Sequence, residues 1–202
     1  MSDRARLVDG VMLKGLGAMG DFVSRIPFGK GIVLVGYAAV MAVPLGYTSF
    51  AVAETAPLPI PSGEVVLEVT GDLAITNGDG MARFDREMLL GLPPVTIRTT
   101  TLWTVGVQEF TGVSLRTLLD RLGAKGAVID AYAINDYWVD IPMGDAVEGG
   151  PMLAYAQNGT ALTVRDKGPI WIVYPYDSKS EYQSEVIYSR SVWQLQRLEI
   201  MP

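Results

Sequence analysis

The sequence predicts an α+β domain of mostly mixed or antiparallel β-sheets with a few short helices. Three observations carry this: β-rich runs recur between turn signals, helical periodicity is clear in only one stretch, and no strand–helix–strand rhythm of a parallel sheet is present. The chain has 202 residues, enough for one domain and an additional segment.

From residue 64 the elements follow in order. Glu64–Val69 alternates, with Val65, Leu67 and Val69 on one face, and reads as a strand. Asp72–Thr76 reads as its hairpin partner, and Asn77-Gly78-Asp79-Gly80 as a turn. A short helix follows, with Asp85 near its start, Phe84, Met88 and Leu89 apolar, and Gly91 and Pro93 as its stop. Val95–Thr101 is β-branched and reads as a strand. Ser114 is placed to cap a helix whose apolar residues, Leu115, Leu118, Leu119 and Leu122, fall at i, i+3, i+4 and i+7, with Gly123 ending it. Further strands are expected at 127–133, 137–141, 170–174 and 192–200, with a helical turn over 142–146.

Residues 31–53 contain no charge, and Arg25 and Lys30 stand before them. Ala51-Val52-Ala53 before Glu54 is a small-x-small site, so residues 1–53 read as a signal peptide with a long basic region. The alternative is an N-terminal membrane anchor, since 23 uncharged residues suffice for a hydrocarbon core of about 30 Å. Either reading puts the remainder outside the cytoplasm by the distribution of positive charge, as a periplasmic protein or as an inner-membrane-anchored one facing the periplasm. Residues 54–63, rich in proline and small residues, read as a linker, and 64–202 as the domain.

The leader holds five basic and three acidic residues, so the rest is more acidic than the whole chain's net charge of −6. Such a surface repels phosphates, and nucleic acid is excluded as a partner. The chain has no cysteine and no histidine. That removes disulfides, thiolate nucleophiles, cysteine- or histidine-held metals and imidazole catalysis. No P-loop, dinucleotide fingerprint or EF-hand is present.

Four clusters could carry chemistry. In Arg98–Thr104, Thr101 and Trp103 suit a flat polar heterocycle, Trp103 stacking on its face and hydroxyls bonding its edge; a Thr-rich strand with a core Trp is the alternative. In Ile134–Asp140, the Asp136 carboxylate beside Tyr137 could accept two N–H bonds from an amino-heterocycle, or belong to an Asn-Asp turn. Arg165 lies in a charged loop, Thr163–Pro169, ahead of the apolar run 170–174; solvated loop charges are the alternative. Arg190, flanked by Ser189 and Ser191, makes a fair anion site, or a loop arginine between capping serines.

Several runs in order resemble the molybdopterin-binding domain of the sulfite oxidase family. They are Phe110–Leu119, Asn135-Asp136-Tyr137 with Asp140-Ile141-Pro142, Met152–Gly159, Lys167–Ile170, Tyr174-Pro175 and Arg190–Leu195, closing with Leu198-Glu199-Ile200. The most specific pieces are Leu153-Ala154-Tyr155 followed by Asn158-Gly159, and Arg190-Ser191-Val192-Trp193-Gln194-Leu195. The resemblance implies a sulfite oxidase-type fold. Catalytic members of the family hold molybdenum with a cysteine thiolate after the strand that ends here near Thr101; that slot falls between Thr99 and Trp103, where there is no cysteine.

The chain is more similar to a branch of small, cysteine-less exported proteins. That similarity implies a non-catalytic sensor of a metal-free pterin, acting on the periplasmic part of an inner-membrane cyclic-di-GMP enzyme. It places the segments, and side-chain chemistry picks the residues: Trp103 to stack, Asp136 and Tyr137 at the polar edge, Arg165, Arg190 and Ser191 along the pocket, and Thr101 in the vacated slot. The alternatives are a molybdopterin-dependent oxidoreductase without the usual ligand, and an interaction protein with an empty pocket.

Overall fold

The computed structural model describes residues 57–202. The leader over 1–53 and the first residues of the linker lie outside the described residues. Among the described residues, no helix is long and apolar enough to cross a membrane.

Two sheets share one hydrophobic core. The first contains β1 (Val65–Gly71), β2 (Ala82–Asp85), β5 (Val128–Ala133), β6 (Trp138–Pro142) and β10 (Leu195–Met201), in the order β2-β1-β10-β5-β6. Its β1–β10 pair is parallel and the other pairs are antiparallel. The second contains β3 (Pro94–Thr99), β4 (Gln108–Ser114), β7 (Met152–Gln157) and β8 (Thr160–Ala161) in that order, with β9 (Trp171–Val173) also on β7. Among the described residues, three short α-helices, α1 (Arg86–Leu90), α2 (Leu115–Leu122) and α3 (Glu185–Arg190), and four 3-10 turns complete the unit. The expected α+β class of mixed and antiparallel sheets is what the chain forms.

The helices follow the sequence logic with two changes of detail. Asp85 caps α1, its side chain accepting from the Met88 amide at 2.9 Å. All four leucines of α2 are buried, and Gly123 ends the helix in the left-handed region (φ 58°). Ser114 makes no capping bond; the Leu115 amide donates instead to the Pro151 carbonyl, so tertiary structure satisfies that helix end. The partner of β1 is Ala82–Asp85 and not Asp72–Thr76. Residues 74 and 75 donate instead to the Leu122 carbonyl at the end of α2, which leaves them no sheet to join.

Residues 57–63 are anchored although they read as a linker. Leu58 is buried, the Pro59 carbonyl accepts from Asn77, and the amides of Ser62 and Gly63 donate to Asp85 at 2.7 and 2.9 Å. These bonds and the one from Met88, the largest cause, hold the Asp85 carboxyl below its ordinary value.

Glycine is required where β4 meets β7. The register slips between Thr111 and Gly112, and the strands approach so closely that a Cβ on Gly112 would meet the Leu153 carbonyl oxygen and lie 2.7 Å from the Ala154 Cα.

On the outer face of the first sheet, one cross-strand row runs Arg83, Glu68, Arg197, Tyr132, Trp138. Arg83 pairs with Glu68 at 3.3 Å, the Arg197 guanidinium lies 3.9 Å from the Tyr132 ring centre, and Tyr132 stacks on Trp138. The neighbouring row sets Asp130 between Glu199 and Asp140. Partial burial, then the Asp140 charge, raises the Asp130 carboxyl above its ordinary value of 3.8. Asp130→Asn is therefore expected to stabilise the domain at pH 7 by about 0.5–1 kcal/mol, read as a higher urea midpoint. The sign with pH follows. Folded Asp130 takes up its proton at higher pH than the unfolded chain does, so stability rises on acidification toward 3.8. Below that value Asp85 and Asp177, both held low, become protonated and stability falls.

Candidate ligand pocket

Three chain segments meet at a cavity of about 390 Å³: the loop after β3, the turn between β5 and β6, and α3 with the three residues that follow it. The walls are Trp103, Tyr188 and Trp193. Ala133, Ser191 and Val192 also line it, and Leu102, Asn135, Tyr137, Glu185 and Ser189 complete the lining. A smaller cavity of about 150 Å³ shares Leu102 and Tyr188 and is lined further by Thr100, Thr101, Asp177 and Gln183.

Trp103 is half-buried within a set of rings. Its ring centre lies 5.5 Å from Trp193, 5.7 Å from Trp171, 6.1 Å from Tyr188 and 6.3 Å from Tyr176, all edge-on. Edge-to-face contacts of this kind fix a ring's orientation. The backbone beneath it is held by Thr101, whose hydroxyl accepts from the Trp103 amide and bonds Thr104 at 2.7 Å.

β3 ends at Thr99, two residues before the expected Thr101, because Asp177 takes over the next residue. Its carboxylate accepts from the Thr100 amide and hydroxyl, each at 2.6 Å, while its own amide donates to the Thr99 hydroxyl. The Thr100 hydroxyl and amide hold the Asp177 carboxyl below its ordinary value of 3.8. Asp177→Ala is expected to raise hydrogen exchange at Thr100 by the equivalent of about 1 kcal/mol while leaving α2 protected.

Ser191 is buried and its hydroxyl is already committed. It donates to the Ile187 carbonyl at 2.8 Å and accepts from Tyr176 at 2.7 Å. Burial pushes the Tyr176 phenol up to about 12, so it remains a neutral donor. Ser191 can offer a ligand a lone pair but no free proton. Tyr137 is 44% exposed, and its hydroxyl donates to the Ser189 carbonyl, tying the β5–β6 turn to α3.

The structure thus brings Trp103, Tyr137 and Ser191 to the main cavity and Thr101 to the smaller one. The other three residues singled out in the sequence are not brought there. Asp136 sits exposed in the left-handed region (φ 63°), in a turn where the Asn135 side chain accepts from the Tyr137 amide. Arg165 is exposed on a 3-10 turn over 164–166 and lines neither cavity. Arg190 is bound to Asp145 at 3.0 Å, and Asp145 also accepts from Tyr174. The carboxylate that does line the main cavity is Glu185, in the first turn of α3. It lies outside every sequence cluster, and no local signal marks it.

Residues 86–178 match the family described as oxidoreductase molybdopterin binding domain. The search of curated proteins gives no match. Among solved structures the chain is similar to the sulfane dehydrogenase SoxCD from Paracoccus pantotrophus, at 24% identity over 67% of this chain and 37% of that one, with a TM-score of 0.51. The chain spans little more than a third of that protein's length, and the likeness is one of fold. The family match takes in Thr101, Trp103, Asp136, Tyr137 and Arg165, and stops before α3 and Ser191.

Proposed function

We propose, from the match of residues 86–178 to the oxidoreductase molybdopterin binding domain family, that this chain is an exported, non-catalytic pterin-binding protein that reports to the periplasmic part of an inner-membrane cyclic-di-GMP enzyme. The observation that carries the reading is the loop after β3. It supplies Leu102 and Trp103 to an aromatic-walled cavity at the place where the resemblance puts the metal's thiolate, and no residue of this chain is a cysteine.

The residues present do not fit a molybdenum cofactor. Soft sulfur is what the metal takes from the protein in this family, and the loop offers Thr100, Thr101 and Trp103. The cofactor's phosphate needs cationic or clustered amide donors, and neither cavity is lined by lysine or arginine. A ring held between tryptophans and bonded at its edge needs neither, and a half-closed apolar cavity of this size suits it. The family match alone favours the molybdopterin alternative, so the two readings are set against each other by content.

The experiment is to purify the protein from the periplasmic and membrane fractions, release bound small molecules with acid, and measure pterin by mass spectrometry and molybdenum by elemental analysis. The reading expects pterin without molybdenum. Stoichiometric molybdenum would sink it, and the absence of both would support an interaction protein with an empty pocket. N-terminal sequencing of the same samples tests export, with Glu54 expected as the first residue after cleavage.

A further inference from the structure

The main cavity contains one charged side chain, and it is an acid. Glu185 reaches the lining from the first turn of α3, and its carboxylate has no hydrogen-bond or ion-pair partner among the described residues. The guanidinium on the same helix, Arg190, is held by Asp145 and lies outside the lining. The smaller cavity repeats the pattern: its one charged residue is Asp177, whose two oxygens are occupied by Thr100. The rest of the two linings is aromatic, aliphatic, hydroxyl or amide.

We infer that Glu185 is the specificity-determining residue of this cavity: it receives the N–H edge of a flat heterocycle and restricts the ligand to neutral or cationic molecules. This rests on the reading of the cavity as a pterin site and names the ligand's charge class. Two parallel N–H groups, such as the ring N–H and amino group of a 2-amino-4-oxo pyrimidine edge, match the two oxygens of one carboxylate. The pairing is charge-assisted on one side, which makes each bond stronger than one between neutral groups. An anionic substituent on the same ring meets an unneutralised carboxylate in a half-closed space, with no lysine or arginine lining either cavity to offset the repulsion. Phosphorylated pterins are thereby disfavoured. The sequence clusters point to Asp136 for the edge-binding role; the β5–β6 turn holds that residue outside the lining, and Glu185 is the carboxylate that lines the cavity.

The test uses two probes that differ mainly in charge at pH 7, neutral 6-hydroxymethylpterin and anionic pterin-6-carboxylate, titrated calorimetrically into the purified full chain and its variants. The wild type is expected to bind the neutral probe at least tenfold tighter. Glu185→Gln should shrink that preference to threefold or less, mostly by weakening the neutral probe. Glu185→Lys should reverse it. Residue 185 is exposed, so both variants are expected to fold, with circular dichroism as the check. Equal or tighter binding of the anion by the wild type, or an unchanged preference in Glu185→Gln, overturns the assignment while leaving the pterin site standing. Binding of neither probe by the wild type overturns the pterin site itself, and the assignment with it.

Discussion

Trp103→Ala is expected to weaken pterin binding at least tenfold and to lower the stability of the domain by about 2–3 kcal/mol. Both effects come from one side chain. Removing the indole withdraws a wall of the cavity and leaves four rings, Trp171, Tyr176, Tyr188 and Trp193, without the edge they pack on. A half-buried tryptophan sits below the full cost of a buried one, which sets the stability figure. Calorimetric titration with 6-hydroxymethylpterin and urea unfolding of the same samples separate the two. Trp103→Phe keeps an aromatic edge in place, and a smaller loss in both measurements is expected. A Trp103→Ala protein that is folded and binds as the wild type does would make Trp103 a packing residue only.

Gly112→Ala is expected to cost about 3 kcal/mol or more, enough to unfold much of a marginally stable domain at 37 °C. The added methyl would overlap the Leu153 carbonyl oxygen and press on the Ala154 Cα, and both are backbone, which cannot swing aside as a side chain would. The strands would have to part at the point where their register slips, and the β4–β7 pair is central to the second sheet. The measurement is the urea midpoint, with Gly80→Ala as a control: that glycine stands in open space, and its φ of 72° predicts only the cost of a left-handed alanine, about 1 kcal/mol. Similar losses at the two positions would mean that conformation, and not close approach, explains Gly112.

Local chemistry was readable where a residue acts within its own turn of chain. Asp85 as the cap of α1, the leucine stripe of α2 and Gly123 at its end are all set by neighbours within eight residues. Strands paired across long sequence distances were harder to read. β10 lies parallel to β1 from the opposite end of the domain, and no local pattern announces a partner 129 residues away. β4 and β7 do not stand out as strands in the sequence, because Gly112 interrupts one and burial on both faces removes alternation from the other. The expected strand over 192–200 begins at Leu195, since Val192 and Trp193 are drawn alongside β9: the Ile172 amide donates to Val192, and Trp193 bridges to Trp171. At six residues, α3 is too short to show a period. The pocket inherits this division. Trp103 and Tyr137 stand out as aromatics beside turns, whereas Glu185 is one acid among many until the fold brings it to the cavity that Trp103 walls.

Three of the four tryptophans stand in a single line of contacts, with Trp103 between Trp171 and Trp193 at 5.7 and 5.5 Å. The fourth, Trp138, stacks on Tyr132 across the outer face of the other sheet. The protein is thereby built as its own optical detector. A ring entering beside Trp103 is expected to lower the emission of this trio and to change the near-ultraviolet dichroism, which titration of the purified protein with 6-hydroxymethylpterin checks. Ligand occupancy is thereby expected to be readable in unlabelled protein, from its own tryptophans.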